Sequence, residues 1–166
     1  AAFPKEHLIP EATSNRQGFI HPVKMQAELE RASLQFIIRD FDTKKLQEYE
    51  HTLEQITKRV LKNYLNSTYT FVVTEQYRNM KEILDNHPEV SEYAIQAINR
   101  AGVTVKRSSA RGGTDGSRLS FMGLPCPNIF TGEMAYHGKH EYVSVQDMQK
   151  SVETVVHLAM IWEERS

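Results

Sequence analysis

Apolar residues along the first half of the chain change period twice, and each change marks an element. From Gly18 to Glu30, Phe19, Val23, Met25, Ala27 and Leu29 fall mostly at alternate positions, which predicts a strand. LQFIIRDF at 34–41 is rich in β-formers and places Phe36 and Ile38 on one face. The polar link Glu30–Ser33 between the two runs predicts an antiparallel hairpin. The spacing then shifts to threes and fours at Leu46, Tyr49, Leu53, Ile56, Val60 and Tyr64. That is one face of a helix, with Lys44, Lys45, Glu48 and Lys58 on the other. Asp42 or Thr43 supplies the cap, and Asn66 and Ser67 end it. TYTFVVTEQY at 68–77 reads as a third strand. Strand, strand, helix and strand in this order predict an antiparallel sheet with a helix on one face. One sheet edge stays open unless residues 1–17 or a partner cover it. Residues 1–17, interrupted by Pro4 and Pro10, are expected to be irregular.

The second half opens with a polar stretch at 79–86, where we expect a domain boundary: 1–78 on one side and 79–166 on the other, with 79–88 as the hinge. His87-Pro88 starts a helix with proline in its first turn, an apolar face at Val90, Tyr93, Ala94, Ala97 and Ile98, and a stop at Gly102. TDGSRLSFMG contains a short helix, Pro125-Cys126-Pro127 is extended, and NIFTG at 128–132 is expected to be a buried strand. Ser144 followed by Asp147 reads as a capping box. Val145, Met148, Val152, Val155, Ala159 and Trp162 then describe a helix packed on a sheet.

Composition narrows the function classes. A net charge of −1 and a pI near 6.7 give no global field for nucleic acid or an acidic membrane. The single RGG at 111–113, without repeats or interleaved aromatics, does not change that. There is no apolar run near the length of a membrane span. AAFPKEHLIP lacks the basic start and apolar core of a signal peptide. A lone cysteine, Cys126, cannot form an internal disulfide and fits a reducing compartment, so a cytoplasmic protein is expected.

Candidate chemistry gathers between Arg111 and Tyr142, RGGTDGSRLSFMGLPCPNIFTGEMAYHGKHEY. The loop from Lys106 to Arg118 sets four basic residues among Gly, Ser and Thr, the make-up of an anion-receiving turn. Arg111 precedes Gly112-Gly113, where backbone N–H groups can face an anion; otherwise Arg111 is a solvated charge. Arg39 ends a strand and either pairs with Asp40 or Asp42 or reaches a ligand. Asp115 either caps the helix that follows or orients a histidine. His137 is either structural or a metal ligand, with His140 as its neighbour and Glu141 orienting the loop or the imidazole. There is no HExxH helix, no pair of cysteines and no His-x-Asp.

RGGTDGSRLSFMGLPCPNIFTG followed by YHGKHEY resembles the C-terminal portion of the peptidase T group of tripeptide aminopeptidases, in the di-zinc metallo-exopeptidase family. The resemblance covers roughly the last 150 residues. It implies an α/β (α+β) chain: an antiparallel sheet with a helix layer, forming a partial lid or dimerisation-type domain over 1–78. The C-terminal α/β segment of a zinc-exopeptidase catalytic domain then follows over 79–166. By the same resemblance His137 is a zinc ligand, while Arg39 and Arg111, the latter beside Gly113, bind the carboxylate of a tripeptide substrate. The general base and the remaining ligands of two zinc ions would lie upstream, so no catalytic residue is expected here and zinc would be absent or weakly held. The competing expectation is a non-catalytic module for dimerisation or peptide binding, with a homo-oligomer formed through the lid sheet or helix.

Overall fold

The computed structural model describes residues 7–166. They fall into two compact units: 7–79 with Ser109–Gly113, and Met80–Ser108 with Thr114–Ser166. Residues 1–6 of the expected irregular stretch lie outside the described residues; the remainder of it holds one 3-10 turn at Pro10–Ala12. No helix among the described residues is long and apolar enough to cross a membrane.

The first unit is built on the expected hairpin. Strands β1 (Phe19–Ala27) and β2 (Ala32–Arg39) pair antiparallel, with Phe19 opposite Arg39, Ile20 opposite Ile38 and Ala27 opposite Ala32. The register slips between Pro22 and Lys24, and a bulge is one of the few strand positions where a residue without an N–H is tolerated. Ile20 is wholly buried, and its N–H donates to the Leu8 carbonyl at 2.6 Å. Helix α1 (Thr43–Leu61) starts at Asp42, whose carboxylate accepts the Lys44 N–H at 2.8 Å. Asp40 braces that start: Oδ1 accepts from the Asp42 N–H at 2.9 Å and Oδ2 from the Tyr49 hydroxyl at 3.1 Å. Burial and the bond to Asp40 push the Tyr49 phenol above its ordinary pKa.

The third strand is not formed. Among the described residues, 68–77 carry no ladder bonds and the sheet of this unit has two strands. β-branched and aromatic residues favour a pleated, half-covered surface, but a strand exists only where a neighbour takes up its N–H and C=O groups. No such neighbour lies alongside among the described residues, and Val72 and Val73 stay 77% and 53% exposed.

The second unit begins with a one-turn helix, α2 (Lys81–Leu84), in the stretch expected to be a plain linker. Helix α3 (Pro88–Arg100) has Pro88 in its first turn and ends at Gly102, whose φ of 73° is the left-handed turn that glycine accepts without strain. Helix α4 (Asp115–Phe121) follows; its N-cap is Thr114, so Asp115 stands in the first turn and is not the cap. Two short strands not foreseen, β3 (Glu133–Met134) and β4 (Tyr142–Val143), pair antiparallel and bracket the histidine turn. The capping box is present: the Asp147 N–H donates to Ser144 Oγ at 3.0 Å and starts helix α5 (Val145–Arg165).

Helices α3 and α5 pack on each other. The small Ala94 and Ala97 let the helices approach, wholly buried Ile161 and Thr154 fill the contact, and Tyr93 meets Trp162 edge to face with centroids 4.9 Å apart. Lys150 Nζ donates to the Ala101 carbonyl at 2.8 Å, closing the end of α3. The buried face of α5 is therefore not the stripe expected from its sequence: Val145, Val152 and Val155 are 72%, 63% and 53% exposed. The side turned to α3 carries Lys150, Thr154 and Glu164 beside Ile161, and the more apolar valine side is left exposed. NIFTG at 128–132 likewise forms no strand and is not buried, since it meets no partner strand.

The surface tie between the two helices titrates. Arg100 Nη1 and Nη2 donate to the Glu164 oxygens at 2.9 and 2.7 Å, and those bonds hold the Glu164 carboxyl below the ordinary glutamate range. A depressed folded-state pKa stabilises above the unfolded value, and that stabilisation is lost as pH falls through the folded one. We expect Arg100→Gln to lower the urea midpoint at neutral pH. The difference from wild type should close as pH drops below the glutamate range, and should shrink with added salt because both groups are exposed.

Candidate functional site

Arg39 and Arg111, far apart in sequence, come together at one end of the hairpin within the first unit. Arg39 is the last residue of β2, so the ladder fixes its backbone opposite Phe19. The Ser109–Gly113 strip lies against the same end, and the Arg111 guanidinium sits over the Phe19 ring, 4.8 Å from its centroid. One aromatic residue thus pairs with the first arginine through the backbone and carries the second on its face.

Each guanidinium is held by neutral groups. Arg39 Nη1 donates to the Ile38 carbonyl at 3.2 Å and Nη2 to Gln76 Oε1 at 3.1 Å, while the group lies over the Tyr77 ring, 5.7 Å from its centroid. Arg111 Nη1 donates to the Thr13 carbonyl at 3.1 Å and Nη2 to Thr13 Oγ1 at 2.6 Å. Its Nε is buried and has no hydrogen-bond partner among the described residues. Neither arginine forms an ion pair with a described carboxylate. Asp40 and Asp42, the neighbours that sequence offers to Arg39, are engaged by the Asp42 and Lys44 N–H groups and by Tyr49 at the start of α1. Burial draws the Arg39 guanidinium below its ordinary pKa, with Tyr77 acting in the other direction, and it stays charged. A guanidinium has five N–H donors in a fixed fork. Both half-buried guanidinium groups therefore keep donors to spare and have no described counter-ion, and a planar carboxylate is the anion that matches such a fork.

Gly113 is backed by Tyr77. A side-chain carbon at 113 would fall inside contact distance of the ring, 2.6 Å from Tyr77 Cβ and nearer still to the ring carbons. The glycine is needed here for close approach. Tyr77, Gln76, Thr13 and Phe19 were not singled out by sequence reasoning; Phe19 and Tyr77 scan as ordinary strand aromatics, and nothing local marks the other two.

His137 belongs to the second unit, in the turn between β3 and β4. Its φ is +64°, a left-handed conformation that histidine adopts more readily than most residues. Its N–H donates to Glu141 Oε2 at 3.0 Å, so Glu141 orients the loop and not the imidazole. The exposed ring leans against Tyr136, centroids 5.1 Å apart. Among the described residues no group of three or more His, Cys, Asp or Glu side chains could hold a metal ion. The one adjacent glutamate pair, Glu163–Glu164, stands at the end of α5, where Glu164 is tied to Arg100.

Residues 4–161 match the model of peptidase family M20/M25/M40. Peptidase T of Clostridium perfringens is 40% identical over 157 residues, covering 95% of this chain and 39% of that protein. Peptidase T of Escherichia fergusonii is 42% identical over 151 residues, 90% of this chain and 37% of its own length. Peptidase T of Salmonella newport is 41% identical over 157 residues, 94% and 38% respectively. The chain thus spans about two fifths of the length of the curated relatives it matches.

Proposed function

The chain belongs to peptidase family M20/M25/M40, and from that membership we propose that it is the carboxylate-recognising part of a cytoplasmic tripeptide aminopeptidase. One observation carries the reading: two half-buried arginines share the hairpin end, each bonded to neutral groups and neither ion-paired with a described carboxylate. A tripeptide's C-terminal carboxylate supplies the missing charge. Selectivity for length follows, since a longer peptide would place a neutral amide at groups arranged for an anion.

Peptidases of this family are generally metal-dependent. His137 is the single zinc donor we assign to this chain; the glycine-flanked turn sets its ring outward, where ligands from elsewhere can join it. The general base and the other donors belong to the three fifths of the relatives' length that this chain does not span, and the chain alone does not hydrolyse peptides.

A hybrid tests both assignments. Joined to the remaining portion of the Clostridium perfringens peptidase T, the chain is expected to cleave trialanine, to lose that activity on zinc chelation, and to lose it again with His137→Ala. A His137→Ala hybrid that cleaves at the parent rate overturns the ligand assignment.

A further inference from the structure

We propose that Tyr77 is the positioning residue of the two-arginine site, the piece that makes Arg39 and the Arg111 strip move as one body. Its ring does two jobs at once. The face carries the Arg39 guanidinium, 5.7 Å from the centroid. The root of the same side chain fills the space in front of the Gly113 α-carbon, so that no side chain fits there. Gly113 is two residues beyond Arg111 on the strip packed against the hairpin. A shift of the ring therefore displaces the cation above it and releases the strip beside it. The neighbouring Gln76 adds a second hold, accepting from Arg39 Nη2 at 3.1 Å. Residues 76 and 77 end the run that makes no ladder, so side-chain contacts such as these fix its position where a strand would be fixed by its backbone.

Two forked cations grip one carboxylate only when their spacing is right, and small displacements forfeit the paired hydrogen bonds. Tyr77 sets that spacing without touching the ligand itself. The ligand in this inference rests on the carboxylate reading above; the coupling between the two arginines does not.

The arginine Nε–Hε signals of the isotope-labelled chain report both parts. In the ligand-free chain, Tyr77→Leu is expected to move the signals of Arg39 and Arg111 together, while Tyr77→Phe, which keeps the ring, leaves both near their wild-type positions. Titrated with trialanine, Tyr77→Leu is expected to bind about tenfold more weakly, a loss on the scale of a half-buried cation–ring contact, and Tyr77→Phe to bind within about twofold of wild type. Trialanine amide distinguishes this from general loosening, because its weak binding should not change in either variant. If Tyr77→Leu moves only the Arg39 signal, the positioning role is overturned. Should Tyr77→Leu fail to fold, Gly113→Ala serves instead: its new methyl group must push the ring, and an unmoved Arg39 signal would overturn the proposal. A wild-type chain that binds trialanine and its amide equally would sink the carboxylate reading, while the ligand-free signals would still decide the coupling.

Discussion

Replacing Ile161 with alanine is expected to lower the unfolding free energy of the second unit by about 3 kcal/mol, within the 2–5 kcal/mol range for such core truncations. Ile161 is wholly buried on α5, the helix that packs on α3, so losing two methyl groups and a methylene leaves a cavity there. Against a net stability of only about 5–15 kcal/mol for a whole domain, that is a large share. The measurement is the urea midpoint at constant m value. Val152→Ala on the same helix is the control. Val152 is 63% exposed, so its truncation should stay within about 0.5 kcal/mol of wild type. Equal costs for the two variants would mean that the valine face is covered and that the α3-facing side has been misassigned.

The second large effect concerns the arginine pair. Arg39→Met is expected to weaken trialanine binding by about 10- to 100-fold, since hydrogen bonds to charged groups are worth about 1.5–3 kcal/mol and 1.4 kcal/mol is a factor of ten. Binding of trialanine amide should hardly respond. Arg39→Lys separates charge from geometry: an ammonium retains the charge but presents no planar fork, so most of the loss should remain. The readout is the affinity ratio between acid and amide. A ratio unchanged in Arg39→Met would remove Arg39 from the site.

What sequence revealed was what is decided locally. The Asp42 cap, the Ser144–Asp147 pair, Pro88 at a helix start and Gly102 at its end each depend on residues within one turn, and each stands where the pattern puts it. The hairpin was legible because a short polar link joins two β-rich runs. Residues 68–77 and 128–132 have strand composition without a strand, because the partner is a property of the rest of the molecule and not of the segment. The face of α5 misled for a related reason: which side of a helix is buried depends on what is there to cover it, and α3 meets the mixed side with Thr154 and Ile161. At the site, sequence marked the charged residues and missed their supports. Arg39, Arg111 and Gly113 stand in suggestive surroundings, whereas Tyr77 acquires its role only when residues 109–113 fold back against it.

The run without a ladder has a cost in handling. TYTFVV, from Thr68 to Val73, holds no charge and no proline, and its Tyr69, Phe71, Val72 and Val73 are open to solvent. Short segments of that composition, left with free backbone donors and acceptors, stack on copies of themselves into fibrillar cross-β assemblies. Self-association at high concentration is therefore expected to start from this run, and Val72→Lys, by adding the charge that natural edges use, is expected to suppress it in light scattering.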